Sequence, residues 1–570
     1  MVKKVKKKPK KLSPEEKARL NTQRRHKREI REVFSMAGFN RVDGASDVEF
    51  EYKALQTDFD DIFVLENVIV LVEYTITKSS EISGHLKPKG NIYNRIKSNA
   101  AEFVAFARGE PLNINSSLKS DYDDHHFHVV ILYCSLNTVD PSLKAGISDA
   151  LYMDYSLVRY FRLLGKTIRR SSRNELLDFL GVPYGSFSEK ATTSNPTSRD
   201  PFAGSVLPEA QSKFPKGYKV VSFYMHPGAL LSRAFVLRRD GWRDRGGVYQ
   251  RMIIRKKIDD IRRHLVEKER VFVNNVIVTL PSSTKLLDAT ENTIDPATIT
   301  KTQPATVSIP LDFNSVGIID GQHRIFSYFE GGSSEEKIAK LRIQQNLLVT
   351  GIVYPDAATP EERTRFEAGL FLEINSTQAN AKSDLKQAIN QIVRPFIADS
   401  IARDTLDQLN ASGPLAGIFE QHFFETDKVK TTSVVSYGLR PLVRPTAGGP
   451  LFERWTDSAK SYFITAEDDA ARIRYVKFCA GQIAIFIGAA RSRLPSDKWT
   501  AERQVTDRLL TPTIINGFIG SFRQALDNGI VVNFDNIRDR FEGLEKFNFG
   551  KYRSSQYTVM STDLFEKFLK

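Results

Sequence analysis

The chain has little cysteine and no long apolar run. Only 2 cysteines occur in 570 residues, and no set of cysteines and histidines has the spacing of zinc ligands. Cys134 and Cys479 each lie in an apolar run, so we expect core thiols in a reducing compartment rather than a disulfide or metal framework. No apolar run approaches the roughly 18 residues that a membrane span needs, and lysines stand where a secretory signal would be apolar. We therefore expect a cytoplasmic protein that does not cross a membrane.

The composition is that of a folded protein with an excess of positive charge. Hydrophobic residues make up 41% and charged residues 26%, and the formal net charge is +14. A prior of about 150 residues per domain predicts three or four domains. A charge excess of this kind favours a polyanionic partner, with nucleic acid as the first candidate.

Lysine and arginine are densest in residues 1–35. Such a basic tail can follow a phosphate backbone by displacing its counterions, and the alternative is a solvated tail with no partner. Within it, Ser13 followed by Pro14 predicts a helix start, because serine caps helices and proline fits the first helical position.

A glycine-centred turn lies near the middle of the chain. The β-branched residues before it predict a strand, and the apolar spacing after it predicts a helix start. Gly321 lets the backbone approach a ligand closely, and His323 and the forked guanidinium of Arg324 add positive charge. The turn therefore predicts a phosphate or nucleotide pocket at Asp320, Gly321, Gln322, His323 and Arg324. The plain alternative is a strand–turn–helix with a surface ion pair.

The run Asp320-Gly321-Gln322-His323-Arg324 matches the signature of the DGQHR-domain family, which includes the DndB-type proteins of DNA sulfur modification. Three other stretches resemble that family in the expected order: Tyr249-Gln250-Arg251, residues 272–278, and the F-x-x-I-N-x-T-Q segment at 371–378. The family is similar to the ParB/sulfiredoxin superfamily, whose Gly-x-x-Arg turn holds nucleotide phosphates. The resemblance implies a mixed-sheet domain that binds ATP or another nucleoside triphosphate.

The same resemblance implies further pocket residues. Arg251 would enter the pocket, and Asp320 would orient a metal or a water molecule. Asn375, Thr377 and Gln378 would read a base or ribose through hydrogen bonds. For these last three, the alternative is a helix end followed by a turn.

A second group of candidate residues is a pair of acids at the ends of an apolar hairpin. Residues 62–65 and 68–72 predict two buried antiparallel strands joined by a turn at 66–67. Asp61 begins the first strand and Glu73 ends the second, so we expect their carboxylates side by side. Two such carboxylates can hold Mg²⁺, which prefers oxygen ligands and can activate water for phosphodiester cleavage.

This layout resembles the PD-(D/E)xK, restriction-endonuclease-like family, in which an acid, a hairpin and Glu-x-Lys follow one another. The chain departs from that pattern because Thr75 stands in the lysine position. Lys78 is the candidate for a displaced lysine, with Lys87 as the alternative. Residues 85–90 are expected to form a polar loop before a helix at 91–106. An active nuclease, an inactive nuclease-like DNA-binding fold and an unrelated hairpin all remain compatible with these residues.

We predict an α/β multidomain protein with a basic tail at 1–35, a restriction-endonuclease-like domain at 36–181, a linker at 182–206, a ParB-like DGQHR domain at 207–400 and a helical region at 401–570. The resemblances imply a DNA-acting protein of a prokaryotic DNA-modification or phage-defence system. Its cofactor would be Mg²⁺, and its partners would be DNA, a nucleotide and other operon-encoded proteins, with a homo-oligomer left open. The rivals are a non-catalytic DndB-like regulator and a nucleoside triphosphatase whose N-terminal domain only docks DNA.

Overall fold

Two compact units divide the chain. The structure, a computed structural model, describes residues 13–183, 187, 199–238, 242–243, 250, 252–378, 383–421, 425 and 427–570. The first unit comprises residues 1–237 and 252–358, and the second comprises residues 238–251 and 359–570. The first unit holds two large sheets with their helices, and the second consists mainly of helices. The predicted α/β multidomain class is therefore confirmed.

The amino-terminal part of the first unit is a mixed sheet between helices. Its elements are α1 (Pro14–Ala37), β1 (Asn40–Arg41), β2 (Phe50–Tyr52), β3 (Leu55–Thr57), β4 (Asp61–Leu65), β5 (Val68–Thr75), α2 (Ile82–Ser98), α3 (Ala100–Arg108), β6 (His128–Ser135), α4 (Pro141–Gly146), β7 (Leu151–Asp154), α5 (Tyr155–Ile168) and α6 (Arg173–Phe179). The five-stranded sheet has the order β1-β4-β5-β6-β7. Strand β4 runs antiparallel to its neighbours β1 and β5, and β5, β6 and β7 run parallel.

Strand β5 is buried at every position because helices cover both faces of this sheet. On one face, Phe34 of α1 stacks on Phe63 of β4 with ring centroids 4.4 Å apart. On the other face, Leu71 belongs to a core that also contains Tyr93 of α2 and Phe103 of α3. A strand covered on both sides must be apolar throughout, which explains the uninterrupted run at its start.

Helix α1 begins at the predicted residue, but its second half packs into the core. Ser13 and Glu16 form a reciprocal capping box in which each side chain accepts the other residue's backbone N–H, and Pro14 is the first helical residue. From His26 onward the helix has a buried face that includes Ile30 and Phe34. The predicted basic tail at 1–35 is therefore in part a core helix, and residues 1–12 lie outside the described residues.

The central part of the first unit contains an eight-stranded sheet. Its elements are β8 (Arg199–Leu207), α7 (Glu209–Ser212), β9 (Lys219–Met225), α8 (Pro227–Arg233), β10 (Ala234–Phe235), α9 (Arg255–Lys268), β11 (Val276–Leu280), β12 (Lys285–Leu287), β13 (Gln303–Pro310), β14 (Val316–Asp320), α10 (Gln322–Phe326), α11 (Glu335–Gln344) and β15 (Leu347–Val353). The strand order is β10-β14-β11-β15-β9-β8-β13-β12. Pairs β10–β14 and β11–β15 are parallel and the others antiparallel, so the predicted mixed sheet is present.

The second unit packs its helices around one large apolar core. Its helices are α12 (Pro360–Gln378), α13 (Ser383–Val393), α14 (Ala398–Ala411), α15 (Thr431–Ser433), α16 (Arg440–Val443), α17 (Asp469–Arg491), α18 (Pro512–Asp527), α19 (Phe534–Arg540) and α20 (Tyr557–Leu564). By length and composition α17 could cross a membrane, but its buried residues, including Tyr475, Cys479 and Phe486, belong to this core. The two cysteines of the chain are both buried free thiols, as predicted.

Two predicted boundaries differ from the structure. The predicted linker at 182–206 ends in strand β8, which pairs with β13 over residues 199–206. The predicted DGQHR domain was expected to continue to residue 400, whereas residues from 359 onward belong to the second unit. Serine, proline and glycine within β8 concealed the strand, because these residues are rare in strand interiors.

Candidate functional site

The hairpin of β4 and β5 forms as predicted, but its register separates Asp61 from Glu73. Asp61 lies opposite Val72, and because side chains alternate between the two faces, Glu73 projects to the face opposite Asp61. The preceding residue, Asp60, is the acid near the end of β5, where its Oδ2 accepts the backbone N–H of Tyr74 at 2.7 Å. The prediction that Asp61 and Glu73 lie side by side is therefore wrong at Asp61, and Asp60 takes that place.

A lysine from helix α2 is in contact with Glu73. Lys89 Nζ donates to Glu73 Oε1 at 2.5 Å and to Oε2 at 2.7 Å, and it also contacts Asp58 Oδ1 at 3.2 Å. The Glu73 side chain is only 3% exposed and that of Lys89 20%, so the contact is largely shielded from water. The sheet edge thus combines a buried carboxylate, a lysine and two further acids, Asp58 and Asp60.

Asp60 connects the end of strand β5 with helix α1. While its Oδ2 accepts the Tyr74 amide, its Oδ1 accepts a hydrogen bond from Lys27 Nζ of α1 at 3.3 Å. Lys27 is shared with Asp47, whose Oδ1 lies 3.1 Å from the same nitrogen. Each of the two acids at the edge, Asp60 and Glu73, therefore has a lysine partner, one from each helical layer.

Burial dominates the electrostatics of these acids. It raises the pKa of Glu73 to about 7, although the charge and hydrogen bonds of Lys89 oppose the change, and the nearby Asp60 and Asp58 charges add to it. Burial also raises the pKa of Asp60, against the Tyr74 amide and Lys27. Burial favours the neutral amine of Lys89, but the carboxylates of Glu73 and Asp58 outweigh it and raise the pKa of Lys89. Burial therefore makes both carboxylates easier to protonate than usual.

Asp61 serves as a buried anchor on the other face of the sheet. It accepts hydrogen bonds from Arg31 Nε at 2.7 Å, from the Tyr74 hydroxyl at 2.6 Å and from Ser46 Oγ at 3.0 Å, and Arg41 contacts it at 2.5 Å. Burial alone would raise its pKa, but these donors together hold the pKa of Asp61 below its usual value. Because its side chain is fully buried and paired with two guanidinium groups, Asp61 is a structural carboxylate rather than the predicted metal ligand.

The predicted displaced lysine is also a different residue. Lys78 and Lys87 are both exposed, and Lys89 is the lysine at Glu73. Thr75, in the lysine position of the motif, is buried and donates its hydroxyl to Thr77 Oγ1 at 2.8 Å. The lysine that contacts Glu73 therefore comes from the helix that follows the hairpin.

Lys89 was missed because the sequence suggested a loop. Pro88 and two nearby glycines indicated a break, yet α2 runs from Ile82 through Pro88. The signal was present in the apolar spacing: Leu86 and Tyr93 are buried on the sheet side, and Lys89 lies three residues after the first and four before the second. A lysine at that spacing must face the sheet.

The glycine-centred turn has the predicted strand–turn–helix form. Strand β14 ends at Asp320, Gly321 takes φ 99°, and the five residues of α10 follow. A Cβ on Gly321 would lie 3.0 Å from Arg324 Nη2 and 3.2 Å from Val276 Cγ2, so both the conformation and the space favour glycine. His323 Nε2 accepts the Ile254 backbone N–H at 3.2 Å.

Arg324 makes the ion pair that the plain alternative predicted. Its Nη2 lies 2.7 Å from Asp320 Oδ2, and the side chain is 20% exposed. The Arg324 Nε is buried and has no hydrogen-bond partner among the residues that the structure describes. Residues Asp320 to Arg324 are half-buried, so a ligand could reach them. Of the other predicted pocket residues, Arg251 and the side chains of Asn375, Thr377 and Gln378 lie outside the described residues.

The segment after α10 connects this turn to the amino-terminal sheet domain. Arg262 of α9 is nearly buried and donates to the carbonyls of Ser327, Phe329, Gly331 and Ser333, which fixes the segment. Glu330 within it accepts the Arg170 N–H at 3.3 Å, donates its own N–H to Ser171 Oγ at 3.1 Å, and pairs with Arg173 at 3.2 Å. We call residues 169–173 together with 327–333 the junction.

Outside these sites, Asp123, His125 and His126 place their ligand atoms within 4.8 Å of one another. They lie on the exposed turn before β6, and His126 Nδ1 already accepts the Asp123 N–H at 3.1 Å.

Comparison of the chain with protein-family models, with curated proteins and with solved structures finds no match in any of the three. What the chain does must therefore be argued from its own geometry.

Proposed function

We propose that the chain is a DNA-acting protein of a prokaryotic DNA-modification or phage-defence system, and that its amino-terminal sheet domain cleaves DNA with Mg²⁺. The observation that carries this proposal is the edge where Asp60, Glu73 and Lys89 meet. The strand directions support it, because β1, β4 and β5 form an antiparallel meander and β6 joins parallel to β5 between helical layers. We take this as a restriction-endonuclease-like arrangement.

The donor set at the edge fits Mg²⁺. Asp60 and Glu73 offer carboxylate oxygens, the ligands that this cation prefers. Their raised pKa values mean that burial of both charges remains unfavourable even beside Lys27 and Lys89, and a divalent ion would relieve that cost. When bound, Mg²⁺ would supply an activated water and a Lewis acid for the phosphodiester.

Lys89 would hold the reacting phosphate or the attacking water beside Glu73. Its ammonium is fixed by contact with the Glu73 and Asp58 carboxylates, and the surrounding acids keep its proton in place. A fixed positive charge at a shielded site stabilises developing negative charge more strongly than the same charge in water. We therefore propose Lys89 in the role that Glu-x-Lys gives to its lysine, in place of Thr75.

Cleavage of plasmid DNA tests this proposal. We expect wild-type protein with Mg²⁺ to cut plasmid, and both Glu73→Gln and Lys89→Gln to lose at least about 100-fold in rate. Lys87→Gln, an exposed lysine on the same helix, serves as the matched control and should cut at the wild-type rate. DNA binding without cutting by the wild type would favour the rival, a non-catalytic DndB-like regulator.

A second proposed activity is nucleotide binding at the Gly321 turn. It is favoured by the buried Arg324 Nε, which has no partner among the described residues while the rest of the guanidinium pairs with Asp320. A phosphate that displaced Asp320 would pair with this guanidinium, as the resemblance to the DGQHR family implies. ATP or another nucleoside triphosphate would then lie beside His323.

Binding of a fluorescent ATP analogue, measured by anisotropy, tests the nucleotide proposal. We expect Arg324→Gln to weaken binding about 10-fold or more, because a charged hydrogen-bond donor is lost. Lys340→Gln, an exposed lysine of α11, is the control. Phosphate release from ATP by the wild type but not by Arg324→Gln would favour the triphosphatase rival, whereas equal binding by both proteins would contradict the pocket.

A further inference from the structure

The first turns of α1 form an arm that is not packed into the fold. No side chain in residues 14–25 is buried, whereas His26, Glu29 and Ile30 are buried in the next two turns. An isolated helical segment of this length has little stability of its own, so the arm is held by continuity with the packed part of the helix and by its capping box. We call residues 14–25 the arm.

The arm extends past the edge that holds Asp60 and Glu73. Along α1, Lys27 contacts Asp60, Arg31 contacts Asp61 and Phe34 stacks on Phe63, so the helix runs in the same direction as β4. Strand β4 begins at the site edge, and the residues of α1 before Lys27 must therefore lie beyond that edge. At 1.5 Å per residue, the arm reaches about 18 Å outward.

A stripe of positive charge runs along the arm and into the next turn of α1. Lys17, Arg24 and Arg28 are seven and four residues apart, which places them on one face of the helix, and Arg25 lies beside them. All four are exposed, and none forms an ion pair with a described residue. The two acids of the arm, Glu15 and Glu16, lie at its far end, where Glu16 is used in the cap.

We propose that the arm binds the phosphate backbone of duplex DNA and guides it to the edge that holds Asp60, Glu73 and Lys89. The proposal rests on the proposed nuclease function. Unpaired cations spread along a rigid rod match an extended polyanion, and exposed arginine and lysine bind phosphate by displacing its counterions. Lys27 connects the arm with the edge that contains Asp60, because it follows the arm in α1 and contacts the Asp60 carboxylate.

The salt dependence of DNA binding tests the arm. Affinity for a 30-base-pair duplex is measured in Ca²⁺, to suppress cutting, for the wild type and for the variant Lys17→Gln/Arg24→Gln/Arg25→Gln/Arg28→Gln. Four lost phosphate contacts should reduce the slope of log K against log salt by about 3.6, and affinity at low salt should fall at least about 10-fold. In Mg²⁺, the KM for DNA should rise while the rate at saturating DNA stays within about threefold.

The control is a variant with the same charge change at exposed positions of another helix, Lys256→Gln/Lys257→Gln/Arg263→Gln/Lys268→Gln in α9. It should keep the wild-type slope, and thermal unfolding should be unchanged in both variants because no buried group is altered. An arm variant with the wild-type slope, or an equal loss in the control, overturns the arm proposal while cleavage stands. A wild type that binds no duplex overturns both proposals.

Discussion

At the scale of single residues, Glu73 should make the proposed Mg²⁺ binding depend on pH. Its pKa is raised to about 7, mainly by burial, so below pH 7 the metal must displace a proton from it. We expect the apparent Mg²⁺ affinity to rise about tenfold per pH unit up to pH 7 and to level off above about pH 8. Calorimetric titration between pH 5.5 and 8.5 measures this, and an affinity that is constant or falls with rising pH would contradict it.

The same shift has a consequence for stability. Glu73 binds its proton more tightly in the folded protein than at its usual value of 4.5, so the folded state is favoured at low pH. This contribution is lost as pH rises from about 4.5 to about 7, and bound Mg²⁺ should restore it. The Glu73→Gln variant, which cannot ionise, should lack the dependence.

Substitution of Asp61 tests whether this residue has a structural role instead of the predicted catalytic one. Its side chain is 0% exposed, whereas those of its partners Arg31 and Arg41 are 34% and 30% exposed. Asp61→Ala removes the carboxylate that accepts from Arg31 and the Tyr74 hydroxyl and one of the two acceptors of Arg41, and we expect a loss of about 3 kcal/mol in the free energy of unfolding. Urea unfolding followed by circular dichroism measures the loss.

Asp43 provides the matched comparison for Asp61. It also pairs with Arg41, but its side chain is 83% exposed. Asp43→Ala should therefore change the free energy of unfolding by less than about 1 kcal/mol. Equal effects of the two substitutions would show that Asp61 does not anchor α1 to the sheet.

At the scale of elements, the site depends on helix α2 beginning before Pro88. In that helix Pro88 cannot donate to the carbonyl of Gly84, and a proline inside a helix costs up to about 3 kcal/mol. We expect Pro88→Ala to stabilise the protein by about 1–3 kcal/mol, again by urea unfolding. If residues 85–90 were the predicted loop, the substitution would be neutral or destabilising, since proline restricts an unfolded chain.

Elements with a strong apolar pattern were predictable from the sequence. The β4–β5 hairpin, the cap of α1 and the strand–turn–helix at Gly321 all formed as predicted. The pairing register was not predictable, because shifting it by one residue moves every side chain to the other face and the apolar pattern of β5 is the same on both faces. That one-residue uncertainty selected Asp61 instead of Asp60.

At the scale of the whole molecule, the two proposed sites lie in one compact unit. The junction joins them, since Glu330 follows α10 closely and contacts Arg170, Ser171 and Arg173 of the amino-terminal part. Arg169 at its start has φ 48° and ψ −128°, a conformation that favours glycine. A change in this constrained backbone at Arg169 could transmit the effect of nucleotide binding at the Gly321 turn to the proposed DNA site.

Coupling through the junction gives a prediction of its own. A nucleotide analogue should change the affinity of the wild type for DNA at least about fivefold, the low end of measured coupling energies. Glu330→Ala, which removes the pair with Arg173 and keeps the two backbone hydrogen bonds, should reduce that change while leaving the affinity for the nucleotide alone unaltered. Fluorescence anisotropy with labelled duplex measures both, and an undiminished effect in the variant would contradict coupling through Glu330.

Domain boundaries were less predictable than the sites. The composition of residues 182–206 predicted a linker, but part of that stretch forms β8. The sheet accommodates small and cyclic residues there: Gly204 lies against the backbone of Ser222, and a Cβ on Gly204 would lie 2.4 Å from the Ser222 carbonyl oxygen. Long-range pairing of this kind leaves no local pattern in the sequence. For the same reason, the sequence did not show that the helices of residues 359–400 belong to the second unit.

Equilibrium dialysis against Mn²⁺, a spectroscopically visible substitute for Mg²⁺, tests the central claim most directly because it requires no activity. We predict that wild-type protein at pH 8 binds Mn²⁺ at a site that Asp60→Asn and Glu73→Gln each weaken at least about tenfold, while Lys78→Gln leaves it unchanged. Mn²⁺ binding that is absent from the wild type, or equal in the wild type and Glu73→Gln, would contradict the claim that Asp60 and Glu73 form a metal site.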